Sequence, residues 1–164
     1  MESKSPRIII TASSPDIIIP NTAYDNDSGY DIYSPIDITL ESNIPVKINS
    51  QLRISIDSPL YSIYVENRSS MGIKGIIITT KVIDNGYTGF IYINMVNITK
   101  ETLYIKKNEK IAQFIIKKLY KPKIDVVSNE EFDDIFKEKS MRKDNKFGSS
   151  NNKLYKTFDD FLKK

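Results

Sequence analysis

Across residues 7–120 short apolar, β-branched runs alternate with clusters of turn residues. Stretches 7–12, 30–34, 46–49, 51–57, 61–66, 76–79, 90–97 and 112–120 are rich in Ile, Val, Tyr and Thr. In one of them Leu52, Ile54 and Ile56 share a face, while Arg53, Ser55 and Asp57 take the other. This period of two marks strands with one buried side. Pro, Gly, Asn, Asp and Ser separate the runs at short intervals, and no helix-length periodic segment interrupts them. The pattern predicts an all-β domain, an antiparallel sandwich, jelly roll or barrel, and argues against α/β folds. The sharpest turn signal is Val82-Ile83-Asp84-Asn85-Gly86-Tyr87-Thr88-Gly89. Asn-Gly between extended runs predicts a tight type I′ hairpin, with 90–97 as the returning strand.

The pattern changes after residue 127. Ser128-Asn129-Glu130-Glu131 has capping-box spacing, and Phe132, Ile135 and Phe136 follow at helical intervals. Residues 157–162 form a second short amphipathic pattern, with a polar loop at 142–152 between the two. Such a loop orders when something binds it. The expected organisation is a β core over 1–127, a short helix over 128–140, a mobile arm over 141–152 and an extra tail over 153–164.

Composition narrows the chemistry. The chain has no His and no Cys, so a Ser-His-Asp triad, a thiolate nucleophile and a Cys/His zinc site are excluded. Proton transfer near neutral pH falls to an Asp or Glu, with Lys or Tyr behind it. Oxygen ligands suit Mg2+ or Ca2+. At 164 residues, 40% hydrophobic and 27% charged, the chain is of ordinary globular composition and one-domain size. It contains no apolar run of membrane-spanning length, and Met1-Glu2-Ser3-Lys4-Ser5-Pro6 lacks a signal-peptide layout. An intracellular protein without membrane association is expected. The net charge of +3, from 24 basic and 21 acidic side chains, is too balanced to argue for stable nucleic-acid binding. The late lysine clusters form a solvated face or an approach for a small polyanion.

Taken singly, the candidate residues have ordinary readings beside functional ones. Asp84 is a turn former or a base, Ser69 and Ser70 cap a turn or cradle an anion, and Asp31 is a surface acid or a metal ligand. Gln113 faces outward from an edge strand or donates to a ligand. In chain order, five segments resemble the all-β trimeric dUTP pyrophosphatase (dUTPase) family. They are Ser28-Gly29-Tyr30-Asp31-Ile32-Tyr33-Ser34, Asn67-Arg68-Ser69-Ser70-Met71-Gly72, the Val82 to Gly89 stretch, Asn108-Glu109-Lys110-Ile111-Ala112-Gln113-Phe114, and Arg142 with Phe147-Gly148-Ser149-Ser150.

The resemblance implies a distorted jelly-roll β-barrel that hydrolyses dUTP to dUMP and pyrophosphate, with Mg2+, in a homotrimer with shared sites. It makes Asp84 the base that activates water and lays Tyr87 against the deoxyribose. It has the hairpin's main chain read the uracil edge, with Val82, Ile83 and Tyr92 at the matching positions, and places Arg68, Ser69, Ser70 and Gln113 at phosphate-binding ones. Asp31 matches the acid that holds Mg2+ through water. Arg142 would fork onto the γ-phosphate, Phe147 and Gly148 would cover the uracil, and Ser149 and Ser150 would bond phosphate oxygens.

The match departs from the family at Asn67, where Pro is usual, at Thr79, Thr80 and Lys81 in place of glycines, and at Thr88 in place of Arg. In the arm, Lys143, Asn145 and Lys146 stand in for glycines. Leu154, Phe158, Phe161 and Leu162 add apolar positions in the tail, which the family lacks. Two other readings stand beside hydrolysis. A dCTP deaminase on the same fold needs a Glu where this chain has Asn94, and a non-catalytic nucleotide-binding homologue would tolerate the altered arm.

Overall fold

The structure, a computed structural model, describes residues 6–137. The described residues fall into two units, one ending at Lys121 and one beginning at Pro122. The first unit holds strands β1 (Ile8–Ala12), β2 (Tyr30–Tyr33), β3 (Ile38–Leu40), β4 (Val46–Asn49), β5 (Leu52–Ile56) and β6 (Tyr61–Glu66). Helix α1 (Ser69–Ile73) follows, then β7 (Ile76–Ile78), β8 (Val82–Ile83), β9 (Tyr92–Asn97), β10 (Leu103–Ile105) and β11 (Lys110–Lys118). The all-β expectation is met.

All strand pairs are antiparallel: β1 with β5, β3 with β10, a four-stranded order β2-β11-β6-β8, and a three-stranded order β4-β9-β7. Alternation along the strands supplies the core. Leu52, Ile54 and Ile56 point inward as expected, and Ile38, Leu40, Ile76, Ile78, Ile93 and Met95 join them. Phe114, on the central strand β11, is fully buried and stacks on Tyr30 of β2 with ring centroids 5.0 Å apart. Burying such a ring contributes about 1.5–3 kcal/mol. Among the buried polar groups, Asn97 is satisfied: its amide donates to Leu40 O and Glu101 O, and its Oδ1 accepts from Thr99.

Three sequence expectations need correction. β3 and β10, three residues each, lie outside the predicted strands; they pair with one another. The predicted hairpin of 82–83 with 90–97 does not form, because β8 pairs with β6, Ile83 opposite Ile63 and Val82 opposite Tyr64. β9 pairs instead with β7 and β4. Nor is the turn type I′. Tyr87 N donates to Asp84 O at 3.0 Å, and Gly86 has φ 89°, but Asn85 is not among the positive-φ residues. Positive φ at the second central residue alone is the type II pattern. Asn85 acts through its side chain instead. Its amide donates to Ser58 O and to Tyr61 O (3.0 Å), fastening the turn to the entry of β6.

In the second unit, described over 122–137, helix α2 (Asn129–Phe136) has Ser128 as N-cap, its hydroxyl accepting from Glu131 N at 3.1 Å. Glu130 and Glu131 sit in the first turn, where negative charge suits the helix dipole. Phe132 and Phe136 pack ring to ring at 4.9 Å. The arm, with Arg142, Phe147, Gly148, Ser149 and Ser150, and the tail beyond it lie outside the described residues.

Candidate functional site

The strand β7 runs on past Ile78 toward Thr80 without becoming a regular ladder. Thr79 N donates to Asn94 O at 2.8 Å. The next rung is made by a side chain: Thr80 Oγ1 accepts from Asn94 N at 2.8 Å and donates to Tyr92 O at 3.0 Å. From there the chain leaves β9, crosses to β6 as β8, turns at Asp84 to Tyr87, and returns at Ile91. The return is pinned where Ile91 N donates to Leu52 O (2.8 Å) and Ser50 N and Oγ donate to Ile91 O. Ser62 Oγ holds Ile83 O at 2.9 Å, and Arg53 Nε holds Thr88 O at 2.6 Å.

This splayed loop encloses a cavity of about 330 Å3, within the rough 300–1,000 Å3 range of small-molecule sites. Asp84, Tyr87, Val82, Ile83 and Tyr92 all line it, together with Lys47, Thr80, Phe90, Ile91 and Asn94. The structure therefore gathers every sequence candidate from the hairpin into one place. Asp84 is exposed, and no hydrogen bond or ion pair among the described residues holds its carboxylate, which leaves it free to take a proton. The Tyr87 hydroxyl donates to Phe90 O at 2.9 Å, fixing the ring across its own loop. That placement needs Gly89, since a Cβ there would lie 2.5 Å from Tyr87 Oη.

A second cluster forms where β2, β11 and α1 meet, and its residues do not line the cavity. Asp31 is 7% exposed, and both its oxygens are engaged: Oδ1 by Arg68 Nε at 2.7 Å and Oδ2 by Lys110 Nζ at 2.8 Å. The Asp31 carboxylate, mainly through this hydrogen bond, raises Lys110 above the ordinary lysine value. Asp31 is thus no surface acid. Arg68 is the N-cap of α1 but makes no side-chain cap bond; Ser69 and Ser70 follow it, exposed, in the first turn. The serines therefore do not cap the turn; Ser70 Oγ accepts from Arg68 Nη1 at 3.4 Å.

Gln113 is not on an edge strand, because β11 runs between β2 and β6. Its amide donates to Asn67 O at 3.0 Å and lies so close to Gly29 that any Cβ there would overlap it. Asn67, where proline was the family pattern, brackets β6 to β7: its Nδ2 donates to Ile76 O and its Oδ1 accepts from Ile78 N. Lys47, Thr80 and Lys110 were not among the site candidates; the sequence marked Thr80 only as a departure from a family glycine and Lys110 only as part of a motif. Nothing local marks their place in the site, since each acquires its role from a strand distant in sequence.

Metal binding can be tested on the donor set. Among the described residues no group of three or more acidic ligands could hold an ion alone. With both Asp31 oxygens taken by Arg68 and Lys110, an Mg2+ here would have to be carried chiefly by substrate phosphates. The cluster does not suit an all-protein cage.

Comparison with known proteins identifies the family. The family model described as dUTPase matches residues 15–151. A deoxyuridine 5'-triphosphate nucleotidohydrolase of Monkeypox virus is 31% identical over 123 residues, 75% of this chain and 76% of that protein. A mutant dUTPase of Staphylococcus bacteriophage 80alpha, solved with dUpNHpp, superposes with a TM-score of 0.74 at 26% identity, over 88% of this chain and 98% of that one. The dUTPase of phage phi11 of S. aureus, described with a structural Mg(II) ion, gives a TM-score of 0.68 at 24% identity, over 74% and 96% of the two chains.

Proposed function

The chain belongs to the dUTPase family, and from that premise we propose that it hydrolyses dUTP to dUMP and pyrophosphate at a site that uses both clusters. The observation that carries this reading is the cavity, which a free carboxylate and a fixed aromatic ring line together with Val82, Ile83 and Tyr92.

The uracil enters the cavity between Val82, Ile83 and Tyr92. The ring of Tyr87 packs against the deoxyribose, where a ribose 2′-hydroxyl would clash. Asp84 takes a proton from a water that attacks the α-phosphorus in line. The new P–O bond forms as the bond to the bridging oxygen breaks, and pyrophosphate leaves with that electron pair. No covalent enzyme intermediate is needed. Arg68, the Ser69 and Ser70 hydroxyls and the Gln113 amide bind the phosphates and hold the leaving group in line. Asp31 keeps the Arg68 guanidinium oriented. Together with the phosphates it would also hold Mg2+, which supplies charge neutralisation on the triphosphate when bound. Arg142, Phe147, Gly148, Ser149 and Ser150 of the arm would close over the nucleotide and exclude water.

Because the phosphate-binding residues are absent from the cavity wall, a complete site calls for more than one copy of the chain. A homotrimer with composite sites meets that need, and light scattering on the purified protein would test it. Pyrophosphate release from dUTP, measured beside dCTP, dTTP and UTP, tests the activity. Release from dUTP alone is expected. A chain that binds dUTP and releases nothing would instead be a non-catalytic nucleotide-binding homologue.

A further inference from the structure

The loop that carries Tyr87 is fastened to the rest of the fold at few points. Tyr87 is 42% exposed, so packing alone does not fix its ring. Its hydroxyl donates to Phe90 O and its main-chain N–H to Asp84 O; both partners belong to the same loop and move with it. Before the ring, the Asn85 amide ties the turn to Ser58 O and Tyr61 O. After it, Arg53 Nε donates to Thr88 O at 2.6 Å, across 35 residues of sequence. Among the described residues this is the one hydrogen bond from 86–90 to another element. The Thr88 carbonyl belongs to the peptide that ends at Gly89, and a Cβ on Gly89 would stand 2.5 Å from Tyr87 Oη. Arg53 therefore grips the peptide against which the ring rests.

Strand β5 presents that grip by its alternation. Leu52 and Ile54 are buried, so Arg53 turns to the outer face, opposite Thr11 of β1. The Leu52 carbonyl accepts from Ile91 N at 2.8 Å, which brings the end of the loop beside Arg53. The side chain lines a shallow pocket of about 200 Å3 with Ile9, Thr11, Ile54, Ser55 and Thr88. It does not line the cavity of Asp84 and Tyr87, so its influence on that cavity passes through the loop. A guanidinium donor makes the bond charge-assisted, stronger than a neutral one. We propose that Arg53 is a positioning residue for sugar selectivity. By holding the Thr88 peptide it keeps the Tyr87 ring in place, and so sets how strongly the site rejects a 2′-hydroxyl. This rests on the reading of Tyr87 as the wall against the deoxyribose. Without the guanidinium the peptide swings out, and the ring, bonded within its own loop, goes with it. The cavity keeps its other anchors, Ser62 on Ile83 O and Leu52 on Ile91 N. Discrimination is then lost to a greater extent than affinity for the deoxynucleotide.

The test measures binding of α,β-imido analogues of dUTP and UTP to the full chain by titration calorimetry, beside thermal melting. Binding is read rather than turnover, so a chain that does not hydrolyse still answers. Arg53→Met, which keeps an apolar stem, should cut the preference for the deoxy analogue about three- to tenfold, the worth of one hydrogen bond. The dUTP analogue itself should weaken less. Arg53→Lys should restore part of the preference, because a single N–H donor serves a carbonyl; Arg53→Gln stands in should the Met variant fail to fold. In a Tyr87→Ala background the ring is gone, and Arg53→Met should change the preference no further, as for two residues acting through one position. An Arg53→Met protein that melts lower yet keeps the wild-type preference, the mark of a residue serving only the fold, would overturn the proposal. So would an undiminished Arg53→Met effect in the Tyr87→Ala background. If Tyr87→Ala itself keeps the preference, or the wild type shows none, the reading of Tyr87 falls and this proposal with it. Loss of preference in Tyr87→Ala but not in Arg53→Met would remove only the role of Arg53.

Discussion

Gly89→Ala isolates the position of one ring. A Cβ at residue 89 would stand 2.5 Å from Oη and 2.7 Å from Cζ of Tyr87, so the ring must leave its place. Gly89 does not occupy the left-handed region, and alanine brings no backbone strain of its own there. Leaving costs the Tyr87 hydroxyl its 2.9 Å bond to Phe90 O, about 0.5–1.5 kcal/mol, and a displaced rotamer adds about 0.5–1.5 kcal/mol. The overlap outweighs what holds the ring, and the folded protein loses roughly 1–3 kcal/mol with the displacement. In the proposed reading Tyr87 is the wall against the sugar, so kcat/KM for dUTP should fall by about an order of magnitude on that scale. The ratio of UTP to dUTP turnover should rise by a similar factor. The melting temperature should fall by a few degrees, at about 2–4 °C per kcal/mol for a chain of this size, without loss of the fold. Tyr87→Phe is the control, since it removes the hydroxyl and leaves the ring to its packing. Steady-state kinetics on both nucleotides decides the matter. A folded Gly89→Ala protein that rejects UTP as well as the wild type does would refute the role given to the ring.

Asp84→Asn should abolish turnover while leaving affinity for dUTP largely intact, read by pyrophosphate release and calorimetry; full activity would remove Asp84 from the role of base. Gly29→Ala should push the Gln113 amide off Asn67 O, raising KM for dUTP several-fold, about the value of one hydrogen bond, with the melting temperature nearly unchanged. The Lys74 ammonium, by hydrogen bonding at 2.6 Å, holds the Glu109 carboxyl below its usual value of 4.5. A depressed carboxylate contributes stability above the unfolded value, and loses it as pH falls through the folded one. Urea unfolding followed from pH 6 downward should therefore show a loss beginning near pH 4.5 that Lys74→Met flattens.

The strand pattern was legible because alternation is local: 46–49 and 61–66 match β4 and β6 residue for residue. β3 and β10 escaped because three residues are too few to show a period, and each is a strand only by virtue of the other. The hairpin error has a different cause. Asn-Gly reports that the chain turns, but the partner of Val82 and Ile83 is chosen by β6, eighteen or more residues upstream. Asn85 looked like a residue selected for positive φ, yet what fixes the turn is its amide on Ser58 O and Tyr61 O. Likewise, motif spacing identified Asp31 and Arg68 separately. That they are bonded to each other, with Lys110 on the remaining oxygen, depends on β2, β11 and α1 meeting in space.

The division of the candidate residues between a cavity and a separate charged cluster has a genetic consequence. In a composite site, one chain lends its cavity and another its phosphate-binding residues. Lesions in the two clusters then strike different halves of each site. A chain lacking Asp84 and a chain lacking Arg68 would each be silent alone, yet their mixed assemblies would contain intact combinations. Two defective alleles expressed together would rescue one another. Dilution below the assembly threshold would silence even the wild type, so the amount of chain present, rather than any effector, would set when the site exists.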